Sequence, residues 1–442
     1  MVSQYIKDSK LVNEQFDCDF VNLSTSRRMD EIGKGGAKKL LRFVGSYVKL
    51  FWKLMTRRYD LCYLAITCHG MGFLKDAPFV LLCKLFRRKV LIHQHNKGMS
   101  GCVDRWPYRW LLPLVYRNAK VMLLSWHLYD DISKVVKREQ VVICANGIPE
   151  VDAVGGLNAA GRQVNRDESL VKSCEAAVNV AEPRLEDNSY TLDTTQNDND
   201  DEKTAALYEN DNENDDGSAI TKTTSGAFAE GSQFAAQGSP LTANSQQSTA
   251  NSQQQKVRLL FLSNLIESKG IYVLLDACKV LKERGLDFVC DFVGGESKAV
   301  SAETFREAIA ERGLADCVAY HGPQYGDDKV KFLAQADIFV FPTYYNNECS
   351  PLVLMEAMQY GLPLVSTNEG GIPDLIVNGE NGFVCERQDV PSLVVALETL
   401  IKDGALRIQM GEQGHARYKE LYTLKAFEER FVAEVKRSGA EG

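Results

Sequence analysis

The sequence predicts an α/β protein: two Rossmann-like parallel-sheet domains facing across a cleft, with a long disordered insertion between them. Three observations lead there. Each flank alternates short β-rich runs with helically periodic ones. The β-rich runs are apolar on both faces, as strands are when helices cover both sides of a parallel sheet. Between residues 151 and 255 the composition changes to Asn, Asp, Ser, Thr, Gln and Gly with few large apolar residues, too few to offset the entropy of ordering that segment. The domains therefore read as 1–150, 151–255 for the acidic low-complexity linker, and 256–442.

In the first flank, residues 2–16 read as a helix, and 34–58 as a basic amphipathic one. Strands follow at 59–65, 89–95, 120–125 and 140–145, with helices at 77–86, 106–117 and 128–136 between them. In the second flank, strands at 257–263, 288–294, 317–321, 337–342, 362–367 and 382–385 alternate with helices at 271–284, 302–312, 329–334, 351–360 and 391–401. Two such sheets place a ligand cleft at the carboxyl ends of their strands.

The 442 residues carry 51 Lys and Arg against 59 Asp and Glu, a net charge of −8. That figure hides three unlike pieces: 25 against 13 in residues 1–150 (+12), 6 against 18 in 151–255 (−12), and 20 against 28 in 256–442 (−8). The balance argues against a generic cationic nucleic-acid binder. Twelve cysteines are scattered with no C-x-x-C pair, which predicts a reducing compartment and neither a disulfide framework nor a zinc site. No run reaches about 18 apolar residues and no signal peptide follows Met1, so a cytoplasmic location is expected.

The residues richest in chemistry lie in the second flank. The helix of 351–360 follows a buried strand, with Ser350 expected at its N-cap, Pro351 at its first position and Gly361 just past its end. Its first amides, at Leu352 and Val353, then open at the carboxyl edge of the sheet as an anion site. Glu348 precedes that helix and Glu356 lies within it, spaced to reach different parts of one polyhydroxylated ligand. A solvated loop Glu and a surface helix Glu are the plain alternative, weakened for Glu356 by the apolar run 352–358. Lys269 follows the strand of 257–263, placed to meet a pyrophosphate or simply to be solvated. Gly294-Gly295 and Gly370-Gly371 are glycine turns at two further strand ends, where backbone can approach a ligand closely.

These residues resemble the retaining glycosyltransferases of family 4, the glycosyl transferases group 1, which have the GT-B fold. Residues 257–437 carry the match: S-K-G at 268–270, Y-H-G at 320–322, F-P-T-Y-Y from Phe341, E-x7-E from Glu348 to Glu356, P-L-V-L-M-E-A-M from Pro351, and G-G-I-P-D from Gly370. The first flank matches through I-H-Q-H-N-K-G (Ile92–Gly98) and the A-N-G-I-P hinge (Ala145–Pro149). The resemblance implies that sugar is moved from a nucleotide diphosphate, a UDP-sugar ahead of a GDP-sugar, to a glycan or lipid-linked acceptor with retention of configuration. Neither a metal nor another cofactor is implied, and no nucleic acid. Cell-surface polysaccharide or glycoconjugate synthesis is the expected setting.

By the same resemblance, Glu356 binds the ribose hydroxyls and Glu348 the transferred sugar. Lys269 neutralises the leaving diphosphate together with the helix start at Ser350, Pro351, Leu352 and Val353, and His95 contacts the sugar from the opposite domain. Asn264, Gly294, Gly322, Gly370 and Gly371 complete the donor pocket. Two departures stand out. The family usually carries Arg five residues before the Lys, where this chain has Asn264, and it begins with a strand and Gly-rich loop that precede the helix read here at 2–16. The expectation is a first domain lacking its first strand, and the alternative function is a catalytically impaired nucleotide-sugar-binding protein. A GT-B sugar epimerase fits the E-x7-E context less well, and a Rossmann dehydrogenase lacks its G-x-G-x-x-G.

Three signals stay open in the first flank. His93 and His95 share one strand face, either as a structural hydrogen-bond network or with His95, nearer the carboxyl end, at the reaction centre. His69, after the first strand, is an acceptor-site candidate. The helix of 34–58 sets Leu40, Leu41, Val44, Tyr47, Val48, Phe51 and Leu54 against a stripe of Lys38, Arg42, Lys49 and Lys53. It reads either as a helix packed on the sheet or as one lying on the anionic inner face of a membrane.

Overall fold

A computed structural model describes residues 2–23, 37–150 and 256–440; the insertion predicted at 151–255 lies outside the described residues. The first half is a four-stranded parallel sheet in the order β1-β2-β3-β4, with β1 Leu61–Ile66, β2 Lys89–Gln94, β3 Lys120–Leu123 and β4 Val141–Ile143. The second is a six-stranded parallel sheet, β5 Val257–Leu262, β6 Phe288–Val293, β7 Val318–Tyr320, β8 Ile338–Phe341, β9 Leu364–Thr367 and β10 Gly382–Cys385. Its order is β10-β9-β8-β5-β6-β7. The chain therefore winds outward from β5 through β6 to β7, then crosses back to β8 on the other side of β5. That reversal makes the carboxyl ends of β5 and β8 the switch point at which such sheets bind ligands.

These strands are Val-, Ile-, Leu- and Phe-rich, and β8 is buried at all four residues. Helices on both faces give them their burial. On one side of the first sheet lie Ala37–Thr56, Gly70–Leu85 and Tyr108–Tyr116, sharing a core with Phe73, Phe79, Ile92 and Val121. On the other side, Ile6 and Val12 of the helices Val2–Asp8 and Lys10–Gln15 meet Leu91, Met122 and Val142.

The last helix, Leu424–Ala440, returns to this same side and adds Phe427, Phe431 and Val432. Ile148 of the hinge motif anchors the return: its N–H donates to Tyr422 O at 3.0 Å, and its carbonyl accepts from Leu424 N at 2.8 Å. A Cβ at neighbouring Gly147 would lie 2.3 Å from Thr423 O, so a side chain there would push the two segments apart.

Several boundaries differ from the sequence-based expectation. The helix expected at 77–86 begins at Gly70, because Gly70 and Gly72 read locally as turn residues whereas Phe73, Ala77 and Phe79 are fully buried on the sheet. The helix expected at 128–136 is a short turn, Trp126–Leu128, followed by Tyr129–Ile132. Residues 2–16 form two helices, broken where Ser9 accepts a hydrogen bond from Val12 N and caps the second. Helices Gly404–Leu421 and Leu424–Ala440 close the second half.

Candidate active site

Lys269 ends a short turn, Glu267–Lys269, just past β5. Gly270 follows with φ 85°, and a Cβ there would stand 2.1 Å from Pro342 O, so the loops after β5 and β8 are pressed together. Lys269 is consequently 7% exposed and Glu348, on the loop after β8, only 2%. They form an ion pair with Nζ 2.6 Å from Oε2. The ring of Tyr345 lies 4.4 Å from Nζ and that of Phe341 5.6 Å, adding cation–π attraction to the ammonium. Thr343 Oγ1 sits 3.4 Å from Glu348 Oε2 and accepts from Tyr345 N at 3.2 Å, which fixes the start of this loop.

Helix Leu352–Gln359 opens at the same edge. Its N-cap is Pro351 (φ −67°, ψ 118°), not Ser350 as expected, and no side chain caps it. Proline drives the preceding residue toward extended backbone, and Pro351 is itself extended, so the first helical turn starts one residue later. The first amides, including those of Leu352 and Val353, are thereby left without a side-chain acceptor. Glu356, one turn on, is 7% exposed and pairs through Oε1 with Lys329 Nζ at 2.9 Å. Its second oxygen, Oε2, is buried and has no hydrogen-bond partner among the described residues. A buried carboxylate oxygen in that condition is an acceptor awaiting a donor.

Gly370 and Gly371 bring the loop after β9 against the same segment. Gly370 has φ 55°, and a Cβ there would lie 2.1 Å from Glu348 O; one at Gly371 would lie 2.7 Å from Cys349 O and 3.0 Å from Ser125 Cβ of the first half. Glu369, a residue that sequence reasoning passed over, is 1% exposed. It joins the halves by accepting from Lys97 Nζ at 2.5 Å while also pairing with Arg387 at 2.8 Å. Asp131 is a second such residue. Its carboxylate accepts from the amides of Gly98, Met99 and Ser100 and from Ser100 Oγ, at 2.7 to 3.1 Å, and so shapes the loop that carries Lys97.

The remaining expected residues are placed as follows. Asn264 Oδ1 accepts from Gly295 N at 3.1 Å, so its side chain holds the β5 and β6 ends together. Gly294 N donates to Gly322 O at 3.0 Å, and Gly322 has φ 72° with open space where a side chain would be. His95 lies one residue past β2, its ring 3.9 Å from that of His93, with Nε2 buried and without a partner among the described residues. Burial pushes its imidazole down to about 4, so the ring is neutral near pH 7. His93 is bonded through Nδ1 to Tyr63 OH at 2.7 Å. His69 Nε2 bonds Lys97 O at 3.0 Å, which ties it into the loop that meets Asn347.

The structure thus gathers Lys269, Glu348, Gly370, Gly371 and the helix start at Leu352, with Glu356 a turn behind. Asn264 is bonded to Gly295 within its own half, and His95 lies against the ring of His93 in the first half. Among the described residues no group of three His, Cys, Asp or Glu is arranged to hold a metal, and no helix is long and apolar enough to cross a membrane.

Residues 243–417 match the family model described as glycosyl transferases group 1. An amylovoran biosynthesis glycosyltransferase of Erwinia amylovora is 34% identical over 163 residues, 36% of this chain and 37% of that protein. A D-inositol 3-phosphate glycosyltransferase of Corynebacterium efficiens is 32% identical over 164 residues, 36% of this chain and 38% of that protein. The chain therefore spans little more than a third of the length of these relatives. The fold aligns more widely. The crystal structure of Anabaena HepE in complex with UDP superposes with TM-score 0.58 at 14% identity, covering 89% of this chain and 82% of that one. Sucrose-phosphate synthase of Thermosynechococcus elongatus superposes with TM-score 0.53 at 16% identity, covering 92% and 79%. The two-sheet architecture is that of the GT-B neighbours.

Proposed function

We propose that this protein is a glycosyltransferase that moves a sugar from a nucleotide-diphosphate sugar to a glycan or lipid-linked acceptor in polysaccharide or glycoconjugate synthesis. The donor is a UDP-sugar ahead of a GDP-sugar, configuration is retained, and no metal takes part. The observation that carries this reading is the buried Lys269–Glu348 pair at the β5/β8 switch point, beside an uncapped helix start. Breaking a sugar–phosphate bond builds charge on the departing diphosphate. Amides already oriented at the helix start, joined by the ammonium of Lys269, stabilise that charge.

In this reading Lys269 turns from Glu348 toward the diphosphate, and the carboxylate of Glu348 is freed to accept from sugar hydroxyls. The unpartnered Oε2 of Glu356 accepts from a ribose hydroxyl. Gly370 and Gly371 let backbone approach the donor, and neutral His95 bonds the sugar from the first half. Matches to named polysaccharide glycosyltransferases support the reading.

The test is a thermal-shift panel of UDP- and GDP-sugars against the wild type and Glu356→Gln. A UDP-sugar should raise Tm in the wild type, with the dissociation constant weakened about tenfold in the variant, the loss of one charge-assisted hydrogen bond. Stabilisation by no nucleotide sugar would overturn the proposal. Stabilisation without turnover would favour the nucleotide-sugar binder.

A further inference from the structure

The first half has an apolar surface that the site does not use. Helix Ala37–Thr56 packs inward through Phe43, Tyr47, Leu50 and Leu54, with Phe43 and Tyr47 edge-on to Phe79 of the neighbouring helix. At 100° per residue, Leu40, Val44, Met55, Val48, Leu41 and Trp52 fall in that angular order on the next arc of about 120°. All six are exposed, between 47% and 70%. Lys49, Arg42 and Lys53 occupy the arc beyond, and Arg57 and Arg58 follow the helix end. The helix thus has three faces: one in the core, one bare and apolar, one cationic. The side chains of its first three residues, Lys38 among them, lie outside the described residues.

A second observation points the same way. The chain has four tryptophans, Trp52, Trp106, Trp110 and Trp126. All four are in the first half and exposed, between 44% and 82%; Trp126 stands apart from the helical layer, after β3 and beside Ser125, which meets Gly371 of the second half. Trp106 and Trp110 stand at the start of helix Tyr108–Tyr116, in the same helical layer, where Leu114 is exposed too. Among the described residues of the second half, the exposed large apolar side chains are Tyr325 and Val395. Tryptophan bodies with an N–H to spare, next to lysine and arginine, suit the boundary between lipid tails and headgroups.

We infer that this helical layer is a docking face for an anionic lipid bilayer, with Leu41, Val48 and Trp52 inserted at the headgroup level and Lys49 and Arg58 against the phosphates. The first half's net charge of +12 within a chain of −8 supplies the complementarity that a neutral membrane or an acidic protein surface would not match in this combination with bare apolar side chains. It goes beyond the transfer reading and rests on no part of it.

The tryptophans make the test direct. The full chain is mixed with vesicles of phosphatidylcholine alone, or of phosphatidylcholine with phosphatidylglycerol, and co-sedimentation and tryptophan emission are followed. Binding to the phosphatidylglycerol vesicles with a blue shift of emission is expected. The variant Leu41→Ser/Val48→Ser/Trp52→Ser should bind at least tenfold more weakly, equivalent to about 1.4 kcal/mol, with its Tm kept. Lys49→Glu/Arg58→Glu should lose binding to the anionic vesicles while emission in buffer stays the same. Absence of wild-type binding, equal binding by the apolar variant, or a wild-type dimer that this variant converts to monomer without any lipid binding would each overturn the inference, the last by assigning the face to a second copy.

Discussion

Replacing Lys269 by Met removes an ammonium whose side chain is 8% exposed and leaves Glu348, 2% exposed, charged and unpaired 2.6 Å from where Nζ stood. Removing one partner of a buried ion pair costs about 3–5 kcal/mol, because the remaining charge keeps its desolvation penalty and loses its compensation. Loss of the contacts to the rings of Tyr345 and Phe341 adds roughly 1 kcal/mol. Glu348→Leu should cost a similar amount by stranding the lysine. The double variant Lys269→Met/Glu348→Leu strands neither and should recover at least about 2 kcal/mol relative to the sum of the single changes. Urea unfolding of the four proteins measures this, and at about 1–1.5 °C per kcal/mol for a chain of this size each single variant should melt at least about 3 °C below the wild type. Donor turnover should be abolished in all three variants, the re-stabilised one included. Single changes that cost under about 1 kcal/mol and simply add would show the pair to be screened by solvent, and would refute the reasoning.

Gly370→Ala places a Cβ 2.1 Å from Glu348 O at φ 55°, and should cost about 1–3 kcal/mol while weakening donor binding; calorimetric titration with an unchanged dissociation constant would count against the close packing. His95 gives a pH dependence of definite sign. Its folded imidazole titrates at about 4 and an unfolded one at about 6.5, so between those values the unfolded chain binds the extra proton. The stability His95 contributes is therefore complete above pH 6.5 and is lost as pH falls toward 4, by at most about 3 kcal/mol. His95→Gln should flatten that part of the profile in urea midpoints taken from pH 7 to pH 4.5, and a parallel profile would place His95 in water.

Much of this architecture could be read from the residues, and the exceptions have physical causes. The ten strands were legible because each is an apolar run between turn residues, and β8 to helix Leu352–Gln359 because a strand, a Pro and a Gly mark its limits. Lys269 and Glu348 were legible as candidates, yet their pairing was not: they are 79 residues apart, and only the crossover that puts β8 next to β5 brings them together. Glu369 looks like a loop residue between Asn368 and Gly370, and its burial comes from Lys97, which is 272 residues away. Ser350 reads as the cap because Ser favours that position, but the proline after it is itself extended and takes the cap. The outer face of helix Ala37–Thr56 could not be told from its inner one, since a 3.6-residue period marks apolar stripes without saying which of them a sheet will cover. The insertion read at 151–255 lies outside the described residues.

The central claim, that the switch-point pair serves sugar transfer from a nucleotide diphosphate, is tested most directly by nucleoside-diphosphate release. Purified protein is incubated with UDP-sugars and with GDP-sugars, and the released diphosphate is quantified beside Glu348→Ala. The account predicts release by the wild type from at least one UDP-sugar, reduced at least a hundredfold in the variant, the loss expected when a group acting on the transition state is removed. Equal release by the two proteins would contradict it.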